Sequence, residues 1–329
     1  MEFLEAFFFA DFLGKPAWAW LLFLSLVGSI VAFDLGVFHR KAHVISVRES
    51  MLQSSIYVTI ALLFGAWVWW SYGAQSGMDY LTAYIVEYTL ALDNIFVIAL
   101  VFTYFAIPRE FQHRVLFWGI LGVIVLRAIM ISLGAAIVTE FHWVLYLFGA
   151  FLILTGIKML WMVDAKPDIA NNPLLKFLKR HMRVTDELKD EHFFVMAPDK
   201  KTGKVVRHAT PLFLALAVIE FIDLVFAVDS VPAVFAITQE PFVVYTSNIF
   251  AVLGLRSLYF ALAAMVHRFH YLKYALALVL VFIGAKIFLS GWIGKFPSEL
   301  SLGITLALLA GGVLFSLWRT KMDGERASH

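Results

Sequence analysis

Apolar residues run in long blocks along most of this chain, separated by short polar breaks. Stretches of roughly 18 or more apolar residues are read as membrane-spanning helices. The pattern predicts nine, at about 17–38, 54–72, 79–105, 115–138, 142–162, 211–237, 243–266, 272–290 and 299–318. One long polar stretch, 163–210, interrupts them. The expected fold is an all-α polytopic membrane protein of about nine transmembrane helices.

Two of the apolar runs carry the same polar interruption. Ala91-Leu92-Asp93-Asn94 lies in one and Ala227-Val228-Asp229-Ser230 in the other, each with an acid six residues upstream, Glu87 and Asp223. Ionisable groups at bilayer depth are costly and point to function. The likeness continues downstream. Arg127 and then Gly156-Ile157-Lys158 follow Asp93, while Arg256 and then Gly284-Ala285-Lys286 follow Asp229. An odd number of spans per copy places the copies in opposite orientations, the inverted-repeat plan of many secondary transporters. The expected organisation is a periplasmic N-terminal interfacial segment (1–16), two transmembrane helices (17–72) and a three-helix repeat (73–162). A cytoplasmic linker (163–210), the inverted repeat (211–290) and a last helix with a cytoplasmic tail (291–329) follow. Ala32-Phe33-Asp34 is a weaker echo of the motif in the first span.

Composition agrees. Apolar residues make up 61% of the chain, against roughly 45–50% in an ordinary soluble domain, and mean hydropathy is +0.83. There is no cysteine, so disulfides, thiolate ligands and thiol redox chemistry are excluded. Twenty of the 26 Lys and Arg residues fall in one set of alternate loops, and the other set holds only Lys15 and Lys295. Basic loops face the cytoplasm, which puts the N-terminus outside and the C-terminus inside. Glu2 and Glu5 stand where a signal peptide would be basic. Phe3, Leu4, Phe7 and Phe8 suggest an interfacial helix or an extension of the first span. In the linker, 192–196 and 204–206 read as a small hairpin, within either a solvated connector or a partner-docking element.

Six acids lie within spans, Asp34, Glu87, Asp93, Glu220, Asp223 and Asp229, and four bases, Arg127, Lys158, Arg256 and Lys286. The formal excess of two negative charges could be neutralised by one divalent cation or by two protons. A six-residue offset is about 9 Å along a helix and about 120° around it. The expected layout has Asp93 and Asp229 meeting at the midplane, with Glu87 on the outer approach, Asp223 on the inner approach and Glu220 deeper inside. The angle requires each acid to face a different neighbour, or the helix to break between them. Pro232 favours a break, because it leaves the Val228 carbonyl without its helical donor. Arg127 and Arg256 read as ion-pair partners of the aspartates or as mobile counter-charges that release the cation. Lys158 and Lys286, near span ends, are expected to snorkel.

The available ligands are carboxylates, the Asn94 amide and the Ser230 hydroxyl, and no histidine lies mid-span. Oxygen ligands suit manganese, magnesium and calcium over zinc and copper. The runs Glu87 to Asn94, Glu220-Phe221-Ile222-Asp223 to Asp229-Ser230-Val231-Pro232-Ala233, and Ser247-Asn248 to Gly254-Leu255-Arg256-Ser257-Leu258-Tyr259 resemble the TerC family, named for tellurium resistance. Glu191-His192-Phe193-Phe194-Val195 is most similar to its alkaline-induced Alx branch. The resemblance extends from about residue 20 to 315. It implies a bacterial inner-membrane protein that exports Mn2+, a substrate and not a cofactor. It also implies roles in metal homeostasis and in metal supply to exported proteins. Carried over by motif, the ion-binding set is Glu87, Asp93, Asn94, Glu220, Asp223 and Asp229, with Asp34 as an addition.

The sequence therefore predicts a divalent cation transporter working by alternating access, with proton exchange suggested by the many carboxylates. Its partners are the metal ion and the lipid bilayer, with no nucleic acid. The rival is a membrane scaffold that assists metal delivery to, or insertion of, membrane and secreted proteins, docking them through 163–210. An intramembrane aspartyl enzyme is the third possibility. The glycine-containing aspartate motif of such proteases is absent, so no enzymatic activity is expected.

Overall fold

The computed structural model describes residues 8–33, 46–161, 168–185, 188, 190–198, 204–262, 272–294 and 296–327. Within these, the side chains of Leu92, Asp93, Phe96, Arg256, Ile293 and residues 320–327 fall outside the description. So does the whole of Asp34.

The chain is an all-α polytopic membrane protein. Its long helices are α1 (Ala17–Phe33), α2 (Val47–Tyr72), α3 (Ala74–Tyr104), α4 (Arg109–Glu140), α5 (Val144–Trp161), α7 (Pro211–Ile237), α8 (Pro241–Leu262), α9 (Leu272–Ile293) and α10 (Ser298–Ala327). A short α6 (Pro173–His181) lies in the linker. Among the described residues six helices, α2, α4, α5, α7, α9 and α10, are long and apolar enough to cross a bilayer. Ala17–Phe33 and Pro241–Leu255 are shorter apolar stretches. Helices α3 and α8 carry the buried polar residues Glu87, Asn94 and Asn248.

Local chemistry sets the helix ends. The Ser46 hydroxyl caps α2 by accepting from Glu49 N at 3.2 Å. Gly73, at φ 93°, makes the turn into α3 in a conformation that L side chains rarely adopt. Proline opens α7 and α8, where its missing N–H is harmless.

One end of the bundle gathers the α2–α3, α4–α5, α7–α8 and α9–α10 connections. The other, basic end holds the α3–α4 connection and the linker. Three apolar clusters fill the bundle. An aromatic one ties α1 and α2 to α3 and α8 through Trp20, Phe23, Phe64, Phe242 and Phe250. A second, with Ile131, Val231, Phe235 and Ile283, lies toward the first end, and a third, with Phe102, Leu116, Leu212 and Tyr259, toward the basic end. Along α3 the two end clusters change over near Glu87, and along α7 near Asp223.

Helices α5 and α9 run antiparallel in backbone contact. A Cβ at Gly284 would stand 2.6 Å from the Gly149 carbonyl oxygen, and one at Gly156 would stand 2.6 Å from the Ala277 carbonyl oxygen. Only glycine permits this approach.

Two expectations about the helices need correction. Helix α7 runs unbroken through Pro232; one lost hydrogen bond is tolerated where neighbouring helices hold the segment. Lys286 does not snorkel: it is 6% exposed and donates to Ser301 Oγ at 3.3 Å. Residues 11–16 form a β-hairpin, β1 (Asp11–Phe12) with β2 (Lys15–Pro16); of the expected interfacial helix, Phe8 is helical and residues 1–7 lie outside the described residues. Lys15 bridges to Glu240 at 2.5 Å.

The described part of the linker docks on the bundle through a few residues while most of its side chains stay exposed or half-buried. Asn172 caps α6, accepting from Leu174 N and Leu175 N at 2.9 and 3.2 Å, and Leu175 is buried in the basic-end cluster. Just before it, the Asn171 side chain and backbone donate to Asp168 and hold that carboxyl below its ordinary value. The predicted hairpin forms as β3 (Phe194–Pro198) against β4 (Val205–Ala209), with Phe194 opposite Ala209. Phe194 packs on Phe213 of α7, and Arg114 of α4 bridges to Glu191 at 3.0 Å.

Candidate functional site

The centre of the bundle is organised by Arg127, on α4, which is 1% exposed. Its Nη1 forms an ion pair with Glu87 of α3 and donates to Asn248 Oδ1 of α8 at 3.0 Å and to Ser230 Oγ of α7 at 3.3 Å. Its Nε and Nη2 reach the two oxygens of Asp223 on α7, both at 3.4 Å. Asn94 of α3 donates to Asp223 Oδ1 at 3.1 Å. One guanidinium therefore joins four helices and two carboxylates. A buried charge of this kind is tolerated because every side of it is met by an acceptor.

These contacts fix how α3 crosses α7. Glu87 is level with Ser230, and Asn94 with Asp223, so the helices run antiparallel. The expected layout is corrected on this point. Glu87 and Asp223 do not mark separate outer and inner approaches; their side chains converge on Arg127. By the same register Asp93 and Asp229 are staggered by about five residues, or ~7.5 Å along the helix axes, instead of being level. Helical geometry alone could not supply this register, because it depends on which residues of two helices touch.

Asp229 faces elsewhere. It accepts from Thr155 of α5 at 3.3 Å, while Asp223 faces α3 and α4. The 120° offset is thus met by different neighbours, not by a break. A cavity of about 40 Å3 lies between, lined by Glu87, Asn94, Arg127, Asp229 and Ser230 and by the apolar Leu276 and Leu280 of α9. Glu87 Oε2 and Asn94 Oδ1 are buried without a hydrogen-bond partner. Unpartnered buried acceptors are costly and mark a place for a proton, water or cation. Among the described residues, no three carboxylates or imidazoles stand close enough together to hold a metal ion. Donors here would have to include the amide and the hydroxyl as well as the acids.

Glu220 lies one turn before Asp223 on α7, toward the basic end. Both its carboxylate oxygens are buried without a hydrogen-bond partner. They sit against Gly119 and Gly122 of α4, where a side chain at Gly122 would collide with the carboxylate. A second cavity, of about 50 Å3, lies beside Asn94 and Asp223 and is walled mainly by Ile98, Leu116, Ile219 and Leu255.

Sequence reasoning missed Asn248 as a member of the centre, although it lies in a quoted motif. It is fully buried and accepts from Arg127, which a motif alone does not reveal. Thr155 was also missed, since a lone threonine in an apolar span gives no signal.

The helical bundle and its enclosed ionic centre define an integral membrane protein. The chain belongs to the TerC family: the family described as integral membrane protein TerC matches residues 72–324. It is 45% identical to an uncharacterised membrane protein of Rickettsia bellii, covering 92% of this chain and 97% of that one. A Myxococcus xanthus membrane protein is 44% identical over 94% of each chain. The Escherichia coli relative, Alx, provisionally described as a membrane-bound redox modulator, is 42% identical over 91% of this chain and 94% of its own. No solved structure matches.

Proposed function

We propose that this protein carries a divalent metal cation, Mn2+ foremost, out across the bacterial inner membrane, exchanging it for protons. The observation that carries the reading is the central cavity of about 40 Å3, where Glu87 Oε2 and Asn94 Oδ1 stand without partners beside Asp229 and Ser230. An all-oxygen donor set suits a hard cation. Manganese in particular, and the outward direction, come from the family resemblance. Apolar clusters on both sides of the centre suit a carrier that opens to one side at a time.

Alternation between two inverted repeats, within a nine-helix plan, is supported by two reciprocal contact pairs. Gly149 with Gly284 and Ala277 with Gly156 exchange under a shift of 128 residues. Glu87 and Ser230, joined through Arg127 Nη1, and Asp223 and Asn94, in direct contact, exchange under a shift of 136. Arg127 fills the centre when no cation is there and withdraws when one binds. Both termini are assigned by the basic loops, the N-terminus periplasmic and the C-terminus cytoplasmic. The printed name of the E. coli relative concerns redox; this chain has no cysteine and hence no thiol couple of its own.

The test is Mn2+ flux in proteoliposomes with Asp93→Asn and Asp229→Asn. Loss of flux in each is expected, and wild-type flux in both would sink the site. Flux indifferent to a pH gradient would remove proton exchange alone. The scaffold reading draws on the packed hairpin, whose Met196 is 64% exposed. Removing 194–209 separates the two: flux survives in a carrier, and partner binding fails in a scaffold.

A further inference from the structure

A cavity much larger than the central one lies nearer one end of the bundle. A vestibule of about 490 Å3 opens at the end of the bundle opposite the hairpin, which the proposed topology makes periplasmic. Asp79, Lys286 and Ser298 line it, and each is less than a tenth exposed. Gln75 Nε2 donates to both oxygens of Asp79, at 3.1 and 3.0 Å, and Ser298 Oγ donates to Oδ1 at 2.8 Å. Asp79 stands eight residues before Glu87 on α3, about 12 Å nearer the vestibule end. Val231, Phe235 and Ile283 lie between the vestibule and the centre.

Size separates what the two spaces can hold. A divalent cation of this class carries about six waters. At roughly 10–15 Å3 of cavity volume per water, that shell needs about 60–90 Å3. The central cavity, at about 40 Å3, is too small for it, and the vestibule, at about 490 Å3, holds it easily. A carboxylate offers about four lone-pair positions. Three hydrogen bonds from neutral donors leave Asp79 room to accept from a shell water. The Lys286 ammonium in the same wall opposes a cation and keeps its stay short.

We propose that the vestibule is a second, weak site for a hydrated divalent cation, held through its water shell by Asp79 and released with the help of Lys286. The proposal rests on the cation-transport reading. Ions leaving the centre would recover their water here before entering the periplasm.

The absence of cysteine makes a direct test possible. In the full-length protein in proteoliposomes, Gln239→Cys places a single thiol in the vestibule wall, and its reaction with a membrane-impermeant thiol reagent is timed with and without MnCl2. Mn2+ is expected to slow labelling. Adding Asp79→Asn should abolish that protection, and adding Asp229→Asn should leave it intact. Lys286→Gln should move half-protection to a roughly tenfold lower Mn2+ concentration, the scale of removing one like charge from a solvated site. That gain cannot come from a misfolded protein. Protection that survives Asp79→Asn, vanishes with Asp229→Asn, or is not strengthened by Lys286→Gln overturns the proposal. Absent Mn2+ flux with protection intact overturns the transport reading instead, and flux without protection overturns only the vestibule site.

Discussion

Asn94 donates to Asp223 across the α3–α7 crossing at 3.1 Å, and Asp223 in turn meets Arg127. Two acids from the two copies of one motif, Glu87 and Asp223, thereby share a single cation. Their backbone positions stay seven residues apart in register, but long side chains bring the charges together. The centre is consequently a compact cluster with Asp229 beside it, not a ladder of separate rungs.

Removing the shared cation should be costly. Arg127→Leu leaves Glu87 and Asp223 facing each other without compensation, and breaking a buried pair in this way costs about 3–5 kcal/mol. The expected outcome is a clear fall in melting temperature of the detergent-purified protein. Adding Glu87→Gln should recover part of it, because one of the two uncompensated charges is then gone. Arg127→Lys should rescue poorly, since a lysine cannot fork between carboxylates on two helices. A single Arg127→Leu variant that melts with the wild type would show that the cluster does not hold the bundle.

Glu220 offers a test in which folding and transport separate. A Cβ at Gly122 would strike its carboxylate, whereas one at Gly28 would meet nothing within 4 Å. The struck group is the far end of a flexible side chain, so it moves before the helices do. Gly122→Ala should therefore depress Mn2+ flux strongly while costing at most about 1–3 kcal/mol of stability. Gly28→Ala should change neither. Parallel flux and melting measurements on the two variants decide it.

The acidic positions were legible in the sequence because charge in an apolar run is conspicuous. The helices were legible for the same reason, and the hairpin followed from its turn residues. What the sequence could not supply was register. Glu87 level with Ser230 is a fact about two helices touching, and no spacing within either helix contains it. Asp79 escaped notice because it stands at the start of its span, where an acid looks interfacial. Its partners Gln75 and Ser298 lie four and 219 residues away, and only the first is visible as a helical neighbour. Lys286 was misjudged for a related reason: nearness to a span end suggests snorkelling, while packing by α10 decides burial.

The α5–α9 contact should tolerate no added methyl group. At Gly156 and Gly284 the obstacle is backbone, the Ala277 and Gly149 carbonyl oxygens, which cannot rotate away. Gly156→Ala and Gly284→Ala should each separate the helices and lower stability by about 1–3 kcal/mol. Gly303→Ala, in open space, should be silent. Thermal melting of the three variants measures this. Similar losses at 156 and 284 are expected if the two contacts are equivalent halves of one two-fold crossing, and a large loss at one alone would argue against inverted repeats.

The linker hairpin should be held by its aromatic contact more than by its ion pair. Arg114 and Glu191 are 36% and 44% exposed at their side chains, and exposed pairs contribute about 0–1 kcal/mol. Phe194 instead packs its ring 4.6 Å from that of Phe213 on α7, with the Arg207 guanidinium 4.0 Å above it. Phe194→Ala removes both contacts and frees β3 from the end of α7. Limited proteolysis of membranes should then cut within 190–210 markedly faster, while Glu191→Ala leaves the cleavage rate near that of the wild type. The opposite order would mean that charge, not the aromatic pair, docks the linker. Mn2+ flux measured on the same two variants adds a second result: unchanged flux in a rapidly cut Phe194→Ala protein would show that transport does not need the docked hairpin.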